Sequence, residues 1–70
     1  MHSEIIDIDG RRYYVEFRVQ VNYSEDGRAI HTVGEGCRVF VEVTNPVLVN
    51  RVIEEINERL SRGEYLVIPY

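Results

Sequence analysis

Apolar and polar residues alternate with a period of two over most of the chain up to Thr44. Val15, Phe17, Val19, Val21 and Tyr23 alternate with Glu16, Arg18, Gln20 and Asn22. Cys37, Val39, Val41 and Val43 alternate with Arg38, Phe40, Glu42 and Thr44. Such alternation marks β-strands with one face turned to a core. After Asn45 the period changes. Val49, Val52, Ile53, Ile56 and Leu60 fall on one stripe at helical spacing, opposite Arg51, Glu54, Glu55, Glu58 and Arg62. Asn45 suits an N-cap, Pro46 the first helical position and Gly63 the stop. Glu55–Arg59 and Glu58–Arg62 are spaced as helix-supporting ion pairs. The pattern predicts strands over about 4–8, 11–23, 28–33, 37–44 and 64–69 and a helix over about 46–62. It shows no linker, repeat or low-complexity stretch.

The connections set the register. Asp9-Gly10 is a two-residue type I′ turn signal, which pairs Ile8 with Arg11 and Ile5 with Tyr14. Glu25-Asp26-Gly27 and Gly34-Glu35-Gly36 each fit a three-residue hairpin loop with glycine in the left-handed third position. The first sets Tyr23 opposite Ala29 and Val21 opposite His31; the second sets Val33 opposite Cys37 and His31 opposite Val39. Both preserve parity. The expected core face is therefore Ile6, Ile8, Tyr13, Val15, Phe17, Val19, Val21, Tyr23, Ala29, His31, Val33, Cys37, Val39, Val41 and Val43. A one-residue change in one loop would bring Ile30 inward and turn His31 out.

The expected fold is α+β: a small single domain, β-β-β-β-α-β, with a mainly antiparallel curved sheet and one amphipathic helix on one face. The last strand, with Pro69 restricting its pairing, runs beside the first to give the order 5-1-2-3-4, or lies parallel to the fourth. The strand from Arg11 to Tyr23 is long enough to bend and serve two neighbours, so partial barrel closure is an alternative.

At 70 residues the chain holds one domain near the lower size limit for a self-sufficient core. One cysteine excludes an internal disulfide, and no Cys/His cluster is spaced for zinc. Dense packing or association is left to supply stability. The lone thiol suits a reducing, cytoplasmic setting. The net charge of −4 disfavours broad phosphate-backbone binding. All 8 basic residues are Arg and Ala29 is the lone alanine, which suits a hot habitat or a designed chain better than a GC-rich genome alone. A designed chain need have no evolved function. Without lysine there is no Schiff-base chemistry. No segment reaches membrane-spanning length, and residues 1–10 lack the apolar run of a signal peptide.

The face away from the helix carries the one suggestive constellation. Ile5 lies opposite Tyr14, and Ile30 is expected opposite Phe40, among Arg12, Glu16, Arg18, Gln20, Thr32, Arg38 and Glu42. Apolar side chains ringed by Arg have the composition of an interface; ordinary cross-strand pairs, or burial by barrel curvature, would produce the same pattern. Tyr14 and Phe40 with Arg12, Arg18 and Arg38 would also suit single-stranded nucleic acid, against the acidic balance. His31 and Cys37 fall diagonally on one face, but among valines they read as core, not as a nucleophilic pair. Asp9 serves its turn and Asp7 faces Arg12, so neither reads as a metal or acid–base site. Gly34-Glu35-Gly36 precedes a strand and cannot cradle phosphate. The Glu-rich helix face reads as solvated surface, and His2 as an incidental terminal residue.

The reading expected is a non-enzymatic protein-binding or assembly module, a homodimer or a small inhibitor or accessory factor, without cofactor or metal. Its surface is Ile5, Tyr14, Arg18, Ile30, Arg38 and Phe40.

Overall fold

The computed structural model describes residues 1–64; the strand expected over 64–69 falls almost wholly outside them. The element order is β1 (His2–Ile8), β2 (Arg11–Phe17), β3 (Val19–Tyr23), β4 (Ala29–Val33), β5 (Arg38–Val39) and α1 (Pro46–Ser61). The architecture is a small α+β domain of open antiparallel sheets and one helix. A three-stranded sheet has the order β1-β2-β5, and β3 and β4 form a two-stranded ribbon. No helix among the described residues is long and apolar enough to cross a membrane.

The first two connections form as their residues dictate. Asp9 and Gly10 both have positive φ, 50° and 80°, as a type I′ turn requires. The register runs from Ile8↔Arg11 through Ile5↔Tyr14 to His2↔Phe17. His2 is therefore part of β1, and its ring stacks on Phe17 with centroids 5.3 Å apart; it is not an incidental end. In the second connection the Ser24 N–H donates to the Arg28 carbonyl (2.9 Å) across Glu25-Asp26-Gly27. This gives Tyr23↔Ala29 and Val21↔His31, the expected register.

The third connection corrects the expectation. Gly34-Glu35-Gly36 does not reverse the chain, and β5 does not pair with β4. It pairs antiparallel with β2, through Val15↔Val39 and Glu16↔Arg38. The pairing Val33–Cys37, His31–Val39 and Ile30–Phe40 is thereby overturned, along with the simple meander order. The predicted long strand bends at Arg18, where β2 ends and β3 begins. The Gly34 N–H donates to the Arg18 carbonyl at 2.7 Å, carrying the ladder across the break. From Val19 to Glu16 is three residues, whereas from the partner Val33 to Arg38 is five. Thus β4 and β5 are one strand line interrupted by a two-residue insertion, a bulge that kinks the sheet. Gly36, with φ of 86°, provides the left-handed turn for it. An insertion of two preserves parity, as the supposed hairpin would have, so Val39 stays on the core face and Phe40 on the other. The strand foreseen over 37–44 is short: after Phe40 the Val41 N–H turns back to the Val39 carbonyl (3.1 Å) and the ladder ends.

The helix is bounded as expected. Asn45 Oδ1 accepts from the Val47 N–H at 2.9 Å, with Pro46 next to it. At the other end the Gly63 N–H donates to the Leu60 carbonyl and the Glu64 N–H to the Arg59 carbonyl, both at 3.0 Å. That pair of bonds, with Gly63 at φ 73°, is a Schellman motif. Glu55 and Arg59 pair at 3.1 Å as spaced; Arg62 turns to Glu64 (3.0 Å) and not to Glu58.

Val52, Ile56 and Leu60 of α1 pack with Ile6, Ile8, Val15, Phe17 and Val39 in one buried cluster. Tyr13, Val19, Val33, Cys37, Val41, Leu48 and Val49 pack partly buried around it. Tyr23, Ala29 and Val43, expected on the core face, are exposed: Tyr23 and Ala29 are the last pair at the loop end of the ribbon, and Val43 lies beyond the end of β5. Polar contacts tie α1 to each sheet. Arg51 donates twice to the Asp9 carboxylate, both at 3.2 Å, and Asn57 Oδ1 accepts from the Val33 N–H at 2.8 Å. The second covers an amide on the outer edge of β4 that would otherwise be open.

Candidate functional surface

The register lays out the face opposite the helix. Tyr14 of β2 lies between Ile5 of β1 and Phe40, whose N–H donates to the Tyr14 carbonyl at 3.0 Å. These three side chains, Ile5, Tyr14 and Phe40, form an apolar row across three strands, 61%, 48% and 41% exposed. The Tyr14 and Phe40 rings meet edge-on with centroids 5.1 Å apart and planes at 61°. This arrangement suits the quadrupoles of two aromatic rings. The Arg38 guanidinium lies over the Phe40 ring, 4.6 Å from its centroid, a cation–π contact worth about 0.5–1 kcal/mol at an exposed site.

Charged residues border the row on both sides. On one, Arg12 pairs with Asp7 at 3.5 Å across β2 and β1. On the other, Glu16 stands between Ser3 of β1 and Arg38 of β5. The middle strand therefore presents Arg12, Tyr14 and Glu16 in sequence: positive, aromatic, negative.

The structure brings together Ile5, Tyr14, Arg38 and Phe40 from the predicted surface and leaves two residues apart. Ile30 is exposed but lies opposite Asn22 on the ribbon. Eight residues separate Asn22 from Tyr14, up to roughly 26 Å along an extended strand. Arg18 occupies the bend between the sheets. The bulge is the reason for both departures, since it moves Phe40 from the partner of Ile30 to the partner of Tyr14. Arg12 and Glu16 were visible in the alternation as polar neighbours, but their symmetric placement about Tyr14 emerges only with the three-strand register.

Beside β5 an open groove of about 580 Å³ is lined by Cys37, Arg38, Val39, Phe40, Val41, Glu42 and Thr44 and, from the start of α1, by Val49. Cys37 is a half-buried free thiol, and burial raises its pKa above the ordinary value of 9.0. That shift holds it protonated, opposite to what a nucleophilic thiolate needs. Among the described residues no three His, Cys, Asp or Glu side chains converge on a point that could hold a metal ion.

Comparison with protein-family models, curated proteins and solved structures finds no match to this chain.

Proposed function

We propose that this chain is a non-catalytic protein-binding or assembly module that docks through the outer sheet face centred on Tyr14 and Phe40. The observation that carries the reading is the row of Ile5, Tyr14 and Phe40. It is contiguous, apolar and well exposed, and it sits on a hydrogen-bonded sheet. Covering each of these side chains returns about 1–2 kcal/mol, and a sheet holds them in place at little ordering cost. The Arg12, Glu16 and Arg38 border has the polar, Arg-containing character of an interface rim.

Single-stranded nucleic acid is the weaker reading for the same face. A base would need an open aromatic plane, but Arg38 covers one side of Phe40 and the Tyr14 ring meets Phe40 edge-on. The net charge of −4 opposes it further.

The test is Phe40→Glu. The variant is expected to keep the far-UV circular dichroism of the parent, because Phe40 lies outside the buried cluster, and to lose association in size-exclusion chromatography. Unchanged association in a folded Phe40→Glu protein would show that this face is not the docking surface.

A further inference from the structure

We infer that the occupant of this face is a second copy of the same chain, related by a two-fold axis that lies along the Ile5–Tyr14–Phe40 row, perpendicular to the strands. The inference rests on the docking face proposed above and adds the partner and the geometry. Two sheets packed face to face can be related by a two-fold axis along the strands or across them. An axis along β2 would set Arg12 against its own copy and Glu16 against its own copy, both repulsive. An axis across the strands through Tyr14 exchanges the two ends of the middle strand. Arg12 of each chain then meets Glu16 of the other, twice over, while Ile5, Tyr14 and Phe40 each meet their own counterparts. Asp7 meets Ser3, a carboxylate against a hydroxyl donor. Of the two axes that pass through Tyr14, only the second is self-complementary in charge, as an isologous interface must be.

The packing is also sterically ordinary. Sheets stacked about 10 Å apart with strands nearly aligned are the common face-to-face arrangement. A patch of three strands by three rows is small, at the low end of interfaces that hold in solution. The expected dimer is therefore weak, about micromolar or weaker.

Sedimentation equilibrium on the full chain, taken up to about millimolar concentration, tests it with Arg12→Glu, Glu16→Arg, the double variant carrying both, and Phe40→Glu. Each single charge reversal is expected to lower the association constant about tenfold or more. The double variant restores opposite charges across the two-fold axis and is expected to recover association to within a few-fold of the parent. An equimolar mixture of the two single variants is expected to associate far better than either alone, because in the mixed dimer the two carboxylates of one chain meet the two guanidinium groups of the other at both contacts. Within one chain the reversals have the opposite consequence. A carboxylate at position 12 would face Asp7, and a guanidinium at position 16 would face Arg38, so any loss of fold stability accumulates in the double variant. A thermal melt of each variant therefore separates loss of folding from loss of association.

A monomeric parent at every concentration overturns the second-copy inference while leaving the face open to a different protein. A dimer that Phe40→Glu does not weaken overturns both this inference and the docking face. A dimer that Phe40→Glu abolishes but that the double reversal fails to rescue overturns the two-fold arrangement alone.

Discussion

The two glycines of the bulge play different parts. Gly36 has φ of 86° with open space around its α-carbon, whereas a β-carbon on Gly34 would meet the Arg18 carbonyl oxygen at 3.5 Å, an ordinary contact. Gly36→Ala is therefore expected to cost about 1 kcal/mol through backbone strain alone, and Gly34→Ala about half of that or less. Urea titrations of the two variants check the order; equal costs would mean that Gly36 does not hold the left-handed turn. Cys37 gives a second residue-level expectation. Its raised pKa means that the folded chain holds the thiol proton more tightly than the unfolded chain. That contribution to stability is complete below pH 9.0 and is lost as pH rises through and beyond it. Maleimide labelling of the native chain near pH 7 is expected to be slow and to accelerate on addition of denaturant; rapid native labelling would contradict the half-buried placement.

At the scale of elements, legibility followed how local the determinant was. The β1–β2 and β3–β4 hairpins and the helix with both of its caps are specified by residues close together in the chain. Asp9-Gly10, Gly27, Asn45 and Gly63 each satisfy a nearby backbone requirement, and these elements match expectation. The partner of β5 is not locally specified. A left-handed glycine at position 36 serves a hairpin loop and a bulge equally well, and both preserve the side-chain alternation. What separates them is burial: continuing past the bulge places Val39 beside Val15 and beneath the helix. The alternation thus specifies which side of a strand is buried without specifying the strand's partner, and it cannot tell Ile30 and Arg18, which fall away from the row, from Phe40, which stands beside Tyr14. Asn57 had a faint signal, a polar residue close to the apolar stripe between Ile53 and Leu60. Its partner, the Val33 N–H on an uncovered strand edge, had none. Asn57→Ala is expected to destabilise the fold by about 1–2 kcal/mol, because that part-buried amide then lacks an acceptor. Asn57→Asp, which keeps an acceptor, should lose less; similar losses for both would remove the hydrogen bond from the account.

For the whole molecule, one helix serves two sheets. Val52 and Ile56 fill the space beneath β1, β2 and β5, Asn57 reaches the ribbon, and Arg51 ties the helix to the first turn. The interior depends on few side chains, so Phe17→Ala, which empties a fully buried position, is expected to cost about 3–5 kcal/mol, a large share of the stability of a domain this small. The helix packs on one side of the three-stranded sheet and leaves Ile5, Tyr14 and Phe40 exposed on the other. Association through that side combines an apolar row with charge pairs at its border, so it is expected to weaken with added salt without vanishing.

Both the docking face and the two-fold arrangement require that Phe40 stand beside Tyr14. Nuclear Overhauser contacts between aromatic side chains test that placement directly. The fold predicts contacts between the Tyr14 and Phe40 rings and between the backbones of Val15 and Val39, with none from Phe40 to Ile30. Contacts joining Phe40 to Ile30 and Cys37 to Val33 would restore the simple meander and dismantle the surface described here.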